Sequence, residues 1–244
     1  MSKVPDNQDH TKRDRDYGMY PDDLAWQCGD EAVAAFVNSV YEPGVKESII
    51  DMIVKYRGQR YTGWAAMRVP LPGRNAFSDE KTRTEVNTMR YIAQNTTIPV
   101  PHVYHWELAS ENPTGLGPFI IMDYFSNTDT LSEAMRDPFT KPGESYVLNT
   151  SLSDEKLEEL YRPMPNIVLQ LYALKMSRIG SLVCTDGGGD SWAVGTRPLL
   201  QNHLEVVTTG GCPTSVLPPE ETTFAASREF YTSLADLHMA HLAF

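Results

Sequence analysis

Apolar residues recur at helical spacing after Asp79 and Glu80, whose negative charges suit the first turn of a helix. The apolar stripe consists of Val86, Met89, Tyr91, Ile92 and Ala93. Ser78 can cap the start of the helix, and a Pro-Val-Pro run soon after its end forces extended backbone. The pattern therefore predicts a helix that begins at Ser78 and ends near Asn95.

Two strand patterns follow this helix. Residues 103–106 carry apolar and aromatic side chains, and residues 118–125 read PFIIMDYF, which is apolar enough to be buried on both faces of a sheet. Residues 111–117 lie between them and contain proline and two glycines, so they predict a turn.

A third strand pattern, residues 64–70, precedes the helix. Alternation places Ala66 and Arg68 on one face of this strand. Met67 and Val69 then lie on the other face. The predicted order is strand, helix, strand, turn and buried strand.

The segment upstream of these elements is less regular. Residues 22–40 predict a packing helix, whereas residues 48–56 fit either a strand or a short helix. Gly58 and Gly63 could belong to a loop that covers phosphate groups, but an ordinary hairpin turn explains them better, because the segment contains no convincing glycine-rich loop.

Capping residues and apolar spacing predict several elements downstream. These are a short helix from Thr130 to about Arg136, a helix that begins near Ser153, a buried helix over residues 167–174, a hairpin over 179–194, an irregular segment over 197–221 and a last helix over 223–244.

Three separated motifs resemble the fungal branch of the aminoglycoside phosphotransferase (APH) family. They are EVNTMRYI at 85–92, NTTIPVP at 95–101 and GLGPFIIM at 115–122, and a weaker resemblance extends over residues 30–244. The resemblance implies an α+β, protein-kinase-like fold. A small lobe with an antiparallel sheet and one helix would occupy residues 21–126, and the start of a mainly helical large lobe would occupy residues 127–244.

The same resemblance implies a nucleotide site, because ATP and Mg²⁺ serve the family as cofactors. Arg68 matches the basic strand residue that reaches the phosphates, and Glu85 matches the acid that holds this residue in place. Met122, Asp123 and Tyr124 match the hinge whose backbone binds adenine. The alternatives are that Arg68 and Glu85 form a purely structural ion pair or face solvent.

The family's catalytic aspartate, neighbouring asparagine and metal-binding aspartate have no counterpart in the sequence. After Asp190 the only aspartate is Asp236, inside the predicted last helix. We therefore expect a truncated chain that lacks the catalytic half, so no catalytic residue and no metal ligand is assigned.

Two functions follow. In the family, phosphoryl groups pass from ATP to the hydroxyl of a small-molecule acceptor. Alternatively, the chain is a non-catalytic, pseudokinase-like interaction module. Such a module would expose the apolar side chains of Leu234, Leu237 and Leu242 and self-associate through the C-terminal helix.

Charge and composition limit the classes of molecule that the chain is expected to bind. A formal net charge of -11 disfavours nucleic acid, and no apolar run is long enough to predict a membrane span. Residues 1–20 are polar and charged, which predicts a disordered tail rather than a signal peptide, and the expected location is cytoplasmic.

Two clusters of metal-ligand or phosphate-binding residue types have simpler interpretations. His238 and His241 are three residues apart, whereas zinc helices use a spacing of four, so they predict core or interface histidines. The glycines of residues 185–190 lie between two strand patterns and predict a hairpin turn rather than a phosphate loop. Cys28, Cys184 and Cys212 are far apart and predict reduced thiols.

Overall fold

The computed structural model describes residues 21–58, 63–126, 130–141, 145–186, 191–208 and 211–243. Its helices are α1 (Pro21–Val40), α2 (Val45–Arg57), α3 (Ser78–Asn95), α4 (Leu131–Ala134), α5 (Asp154–Tyr161), α6 (Pro163–Ala173), α7 (Gln201–Thr208) and α8 (Ser227–His241). Its strands are β1 (Trp64–Arg68), β2 (Val103–Glu107), β3 (Phe119–Tyr124), β4 (Ser181–Cys184) and β5 (Trp192–Thr196). The predicted tail, residues 1–20, and the predicted lobe linker, residues 127–129, lie outside the described residues.

The first sheet is antiparallel and has the order β1-β3-β2, so β3, whose sequence predicts burial on both faces, is the central strand. The mixed α and β character and the antiparallel sheet are confirmed. A register shift between Val103 and His105 marks a bulge in β2. The extra residue explains why Val103 and Trp106, which are three positions apart, pack on the same side of the sheet.

The two faces of β3 pack against different helices. Phe119 and Ile121 contact Met52 of α2, and Ile120 contacts Val86 of α3. All five side chains are buried, and Phe119, Ile121 and Val86 are fully enclosed. The sheet is therefore the middle layer of a helix–sheet–helix sandwich.

Helix α2 resolves the choice left open at residues 48–56 and corrects the expectation of one helix beside the sheet. Met52, Ile53 and Tyr56 lie on one helical face, and all three pack against the sheet. Gly58 ends α2 with a positive φ of 71°, which side chains other than hydrogen rarely allow, and its N–H bonds to the Val54 carbonyl. Gly58 therefore serves as a helix terminus.

Helix α3 has the predicted bounds, and only its capping residue differs. Ser78 is the first helical residue, and Phe77 takes the capping position without a side-chain hydrogen bond. The prediction that Ser78 caps the helix is wrong, because the Phe77 side chain is held by an apolar cluster formed from the C-terminal part of the chain.

The predicted hairpin over residues 179–194 is confirmed as β4 and β5, whose turn residues 187–190 lie outside the described residues. It packs on α3: Asn87 Nδ2 donates to the Leu182 carbonyl at 2.9 Å, and Trp192 Nε1 donates to Gln94 Oε1 at 2.7 Å. Helix α3 therefore contacts the sheet on one side and the hairpin on another.

The prediction that residues 197–221 are irregular is wrong. They contain α7 and the 3₁₀ helix Thr214–Val216, which together with α8 enclose a second core. Buried Val206, Cys212, Leu217 and Leu237 form that core, and Phe77 packs against it. Leu237 is only 2% exposed, so the expectation that the apolar face of α8 is open fails at its central residue, although Leu242 is exposed.

Two downstream helices also differ from prediction. Thr130 caps α4 by accepting the Glu133 N–H, as predicted, but α4 ends at Ala134 rather than Arg136. Helix α6 was predicted to be buried because its residues are apolar almost all round, yet no residue of α6 is buried. Tyr172, Leu169 and Val168 are 76%, 66% and 62% exposed, because no described element covers that side of the helix.

A buried ion pair joins α3 to the segment after β5. Arg197 Nε donates to Glu80 Oε1 at 2.9 Å, and Arg197 Nη2 donates to Glu80 Oε2 at 2.7 Å. Arg197 Nη1 donates to the Pro218 carbonyl at 2.6 Å. Charges out of contact with water need this degree of pairing, so the pair determines how the C-terminal part lies on α3.

We expect Glu80→Gln to lower the free energy of unfolding by about 3–5 kcal/mol, because the Arg197 charge would stay buried without its carboxylate. Urea denaturation should show a lower midpoint. The matched control is Glu158→Gln, which breaks the exposed pair with Arg162 and should change stability by less than about 1 kcal/mol. Equal effects of the two substitutions would contradict the structural role of the buried pair.

Candidate functional site

The candidate site lies on the α3 side of the sheet, where β1 supplies Arg68 and α3 supplies Glu85. Arg68 lies opposite Ile120 on β3, and its Nη1 forms an ion pair with Glu85 Oε1. The Arg68 side chain is 48% exposed and that of Glu85 is 24% exposed. The ion pair that the family resemblance implies is therefore formed between strand and helix, and the Arg68 side chain remains partly open to solvent.

Ala66 and Trp64 precede Arg68 at alternate positions of β1, so they share its face of the sheet. Their partners on β3 are Met122 opposite Ala66 and Tyr124 opposite Trp64. On this face the small residue Ala66 therefore lies between Arg68 and the aromatic pair of Trp64 and Tyr124.

The aromatic end of this face is open. Trp64 is 75% exposed and Tyr124 is 53% exposed. Sequence reasoning missed Trp64, because its relation to the hinge depends on which β3 residue lies opposite it. The signal present in the sequence was an aromatic residue two positions before Ala66, on the same face of a predicted strand.

The predicted hinge residues Met122, Asp123 and Tyr124 form the last part of β3. Because β3 is central, their backbone is already engaged by its two neighbours: the Asp123 N–H donates to the His102 carbonyl at 3.0 Å. The first residue beyond the strand is Phe125, which is exposed. Phe125 and Ser126 are therefore the first residues that follow the strand pairing at this end of β3.

The Asp123 side chain has a local role in the sheet. Its two carboxylate oxygens accept hydrogen bonds from the His102 N–H and the Tyr104 O–H. The bond to Asp123 raises the pKa of Tyr104, because the neutral phenol is the form that donates; burial and the Asp123 charge act in the same direction, and Arg57 opposes them. Asp123 therefore stabilises the join between β2 and β3.

The remaining sequence candidates lie elsewhere. His238 is exposed on α8, and no group of three or more histidine, cysteine, aspartate or glutamate side chains suited to a metal ion occurs within the described ranges. In the same part of the chain, none of the helices has the length and apolar character needed to cross a bilayer.

Comparison of the chain with protein-family models, with curated proteins and with solved structures found no match.

We expect Asp123→Asn to lower the pKa of Tyr104 toward its ordinary value of 10.0, because an amide accepts the phenolic hydrogen bond more weakly and carries no charge. NMR of the tyrosine Cζ carbons during an alkaline titration would measure this change. Asp51→Asn removes the same charge from an exposed position on α2 and should leave Tyr104 unchanged. An unchanged Tyr104 titration in Asp123→Asn would contradict the assigned contact.

Proposed function

We propose that this chain is a nucleotide-binding, kinase-like protein of the APH type. Its family reaction would be ATP-dependent phosphoryl transfer to a small-molecule hydroxyl. The observation that carries the proposal is the ion pair between Arg68 on β1 and Glu85 on the helix that follows, formed at the face of an antiparallel sheet. Kinase-like enzymes use such a strand–helix pair to hold a cation against the phosphates of ATP.

Each residue has a stated role in this proposal. Glu85 orients the Arg68 guanidinium, whose remaining N–H donors bind phosphate oxygens and whose charge persists at all relevant pH values. Ala66 leaves space beside the base, and the backbone at Phe125 and Ser126 offers hydrogen bonds to it. When bound, Mg-ATP would supply the transferable phosphoryl group. These residues bind and orient the nucleotide, and the proposal assigns no transfer step to them.

Calorimetric titration with Mg-ATP tests the proposal. We expect saturable binding by the native chain and at least about tenfold weaker binding by Arg68→Ala, because a charge-assisted phosphate contact is worth about 1.4 kcal/mol or more. Arg162→Ala, which removes an exposed arginine of α5's C-terminal end, is the matched control and should bind normally. Absence of binding by the native chain at millimolar Mg-ATP would reject the function, and equal binding by Arg68→Ala would reject the site.

A second candidate function is a non-catalytic interaction module, and the exposure of α6 favours it. Met164, Ile167, Val168, Leu169, Leu171 and Tyr172 are the large apolar side chains that this helix exposes. No charged residue interrupts Pro163–Ala173. In a chain with a net charge of -11, this uncharged face is where a second copy meets little electrostatic repulsion. On this alternative, the chain self-associates through α6 rather than through α8.

Light scattering over a range of concentrations tests the alternative. We expect concentration-dependent dimerisation, weakened at least about tenfold by Leu169→Glu, since the acid would be desolvated at the contact. Ile50→Glu introduces the same charge at an exposed position of α2 and should leave association unchanged. A monodisperse monomer at all concentrations would contradict this function.

A further inference from the structure

Glu80, Arg197 and His203 form a cluster of buried titratable groups outside the candidate nucleotide site. Their exposed fractions are 8%, 7% and 4%. Charged side chains are rarely this buried unless they are paired, and an imidazole so enclosed needs its own hydrogen bonds. The three residues come from α3, the segment after β5 and α7.

The Phe77 ring connects the ion pair to the core cluster that contains Val206 of α7. The Arg197 guanidinium lies over the ring at 4.9 Å from its centroid, and Phe77 also packs against the core cluster that contains Val206. Phe77 is the N-cap of α3 and Glu80 lies in the first turn of that helix, whereas His203 precedes Val206 by three residues on α7. Residues three apart share a helical face, so His203 lies on the side of α7 that carries Val206 into this core.

Hydrogen bonding in this cluster is complete for the ion pair and incomplete for the histidine. Both Glu80 oxygens accept from Arg197, whose third nitrogen donates to the Pro218 carbonyl. His203 Nδ1 is buried and has no hydrogen-bond partner among the described residues. A neutral imidazole tolerates this position, but a protonated ring would add a second cation beside Arg197, where the Glu80 oxygens are already engaged.

We propose that Glu80, Arg197 and His203 form a proton-sensitive latch, which fastens α7 and the core behind it to the start of α3 at neutral pH and releases them in acid. This role does not depend on nucleotide binding. Protonation of the His203 ring requires water to reach it, and water reaches it only when α7 separates from Phe77. Binding of one proton by His203 therefore favours the state in which the packing of Val206 and Leu217 is lost.

The direction of the pH dependence follows from the surroundings of His203. Burial lowers the pKa of His203 below its ordinary value of 6.5, and the Arg197 charge lowers it further, whereas Glu80 acts in the opposite direction. The closed state therefore holds fewer protons than the open state. The stabilisation is fully present above about pH 6.5 and is lost as the pH falls from there toward the lowered pKa of the closed state.

Hydrogen–deuterium exchange of the full chain at pH 7.5, 6.5 and 5.5, corrected for the intrinsic exchange rate, tests the latch. Below pH 6.5 we expect the protection of amides in α7 and in residues 212–217 to fall by up to about tenfold per pH unit, the limit for uptake of one proton. The amides of β1 and β3 should keep their protection. His203→Gln cannot be protonated and should abolish the pH dependence, whereas His238→Gln, at an exposed position of α8, should retain it.

Several outcomes would overturn the latch. Unchanged protection of the α7 amides in the native chain between pH 7.5 and 5.5 would contradict the proposal. This measurement needs no variant, so the test remains decisive if His203→Gln does not fold. Retention of the full pH dependence by His203→Gln would also overturn it. A loss of protection shared equally by β1 and β3 would show global acid unfolding instead.

Discussion

The arrangement of the molecule depends on the buried ion pair between Glu80 and Arg197. The two residues are 117 positions apart, and they hold together parts of the chain that have separate apolar cores. The direct attraction between two desolvated charges barely repays the loss of their hydration, so the pair contributes orientation more than net stability. It specifies one placement of the C-terminal core against the first turn of α3, and Phe77 fills the space beneath it.

Helix α3 contacts the C-terminal core, the first sheet and the hairpin, so it fixes their positions relative to one another. Glu80 is directed toward the C-terminal core, Val86 toward the sheet and Asn87 toward the hairpin. Glu85, on the same helix, forms the ion pair with Arg68 at the candidate nucleotide site. A rigid helix with contacts on several sides gives the site and the latch a shared support, although the two use different residues.

The candidate site and the surface of α6 differ in how much of each was predictable. The pairing of Arg68 with Glu85 was expected from the resemblance to the APH family, whereas strand alternation by itself placed only Arg68 and Ala66 on one face. The exposure of α6 was not predictable from the sequence. An apolar sequence favours burial, but it does not determine whether another part of the chain covers the helix. Leu237 shows the converse, since α7 and residues 212–217 cover a face that was expected to be open.

The sequence by itself determined the local elements, namely the bounds of α3, the alternation in β1 and the burial of β3 on both faces, because backbone sterics and hydrophobic periodicity act over a few residues. Tertiary structure alone decided that Arg197 meets Glu80, that His203 is enclosed beside them and that Trp64 lies opposite Tyr124. These contacts join residues far apart in the chain. Their energies depend on desolvation and register, which exist only once the surfaces have come together.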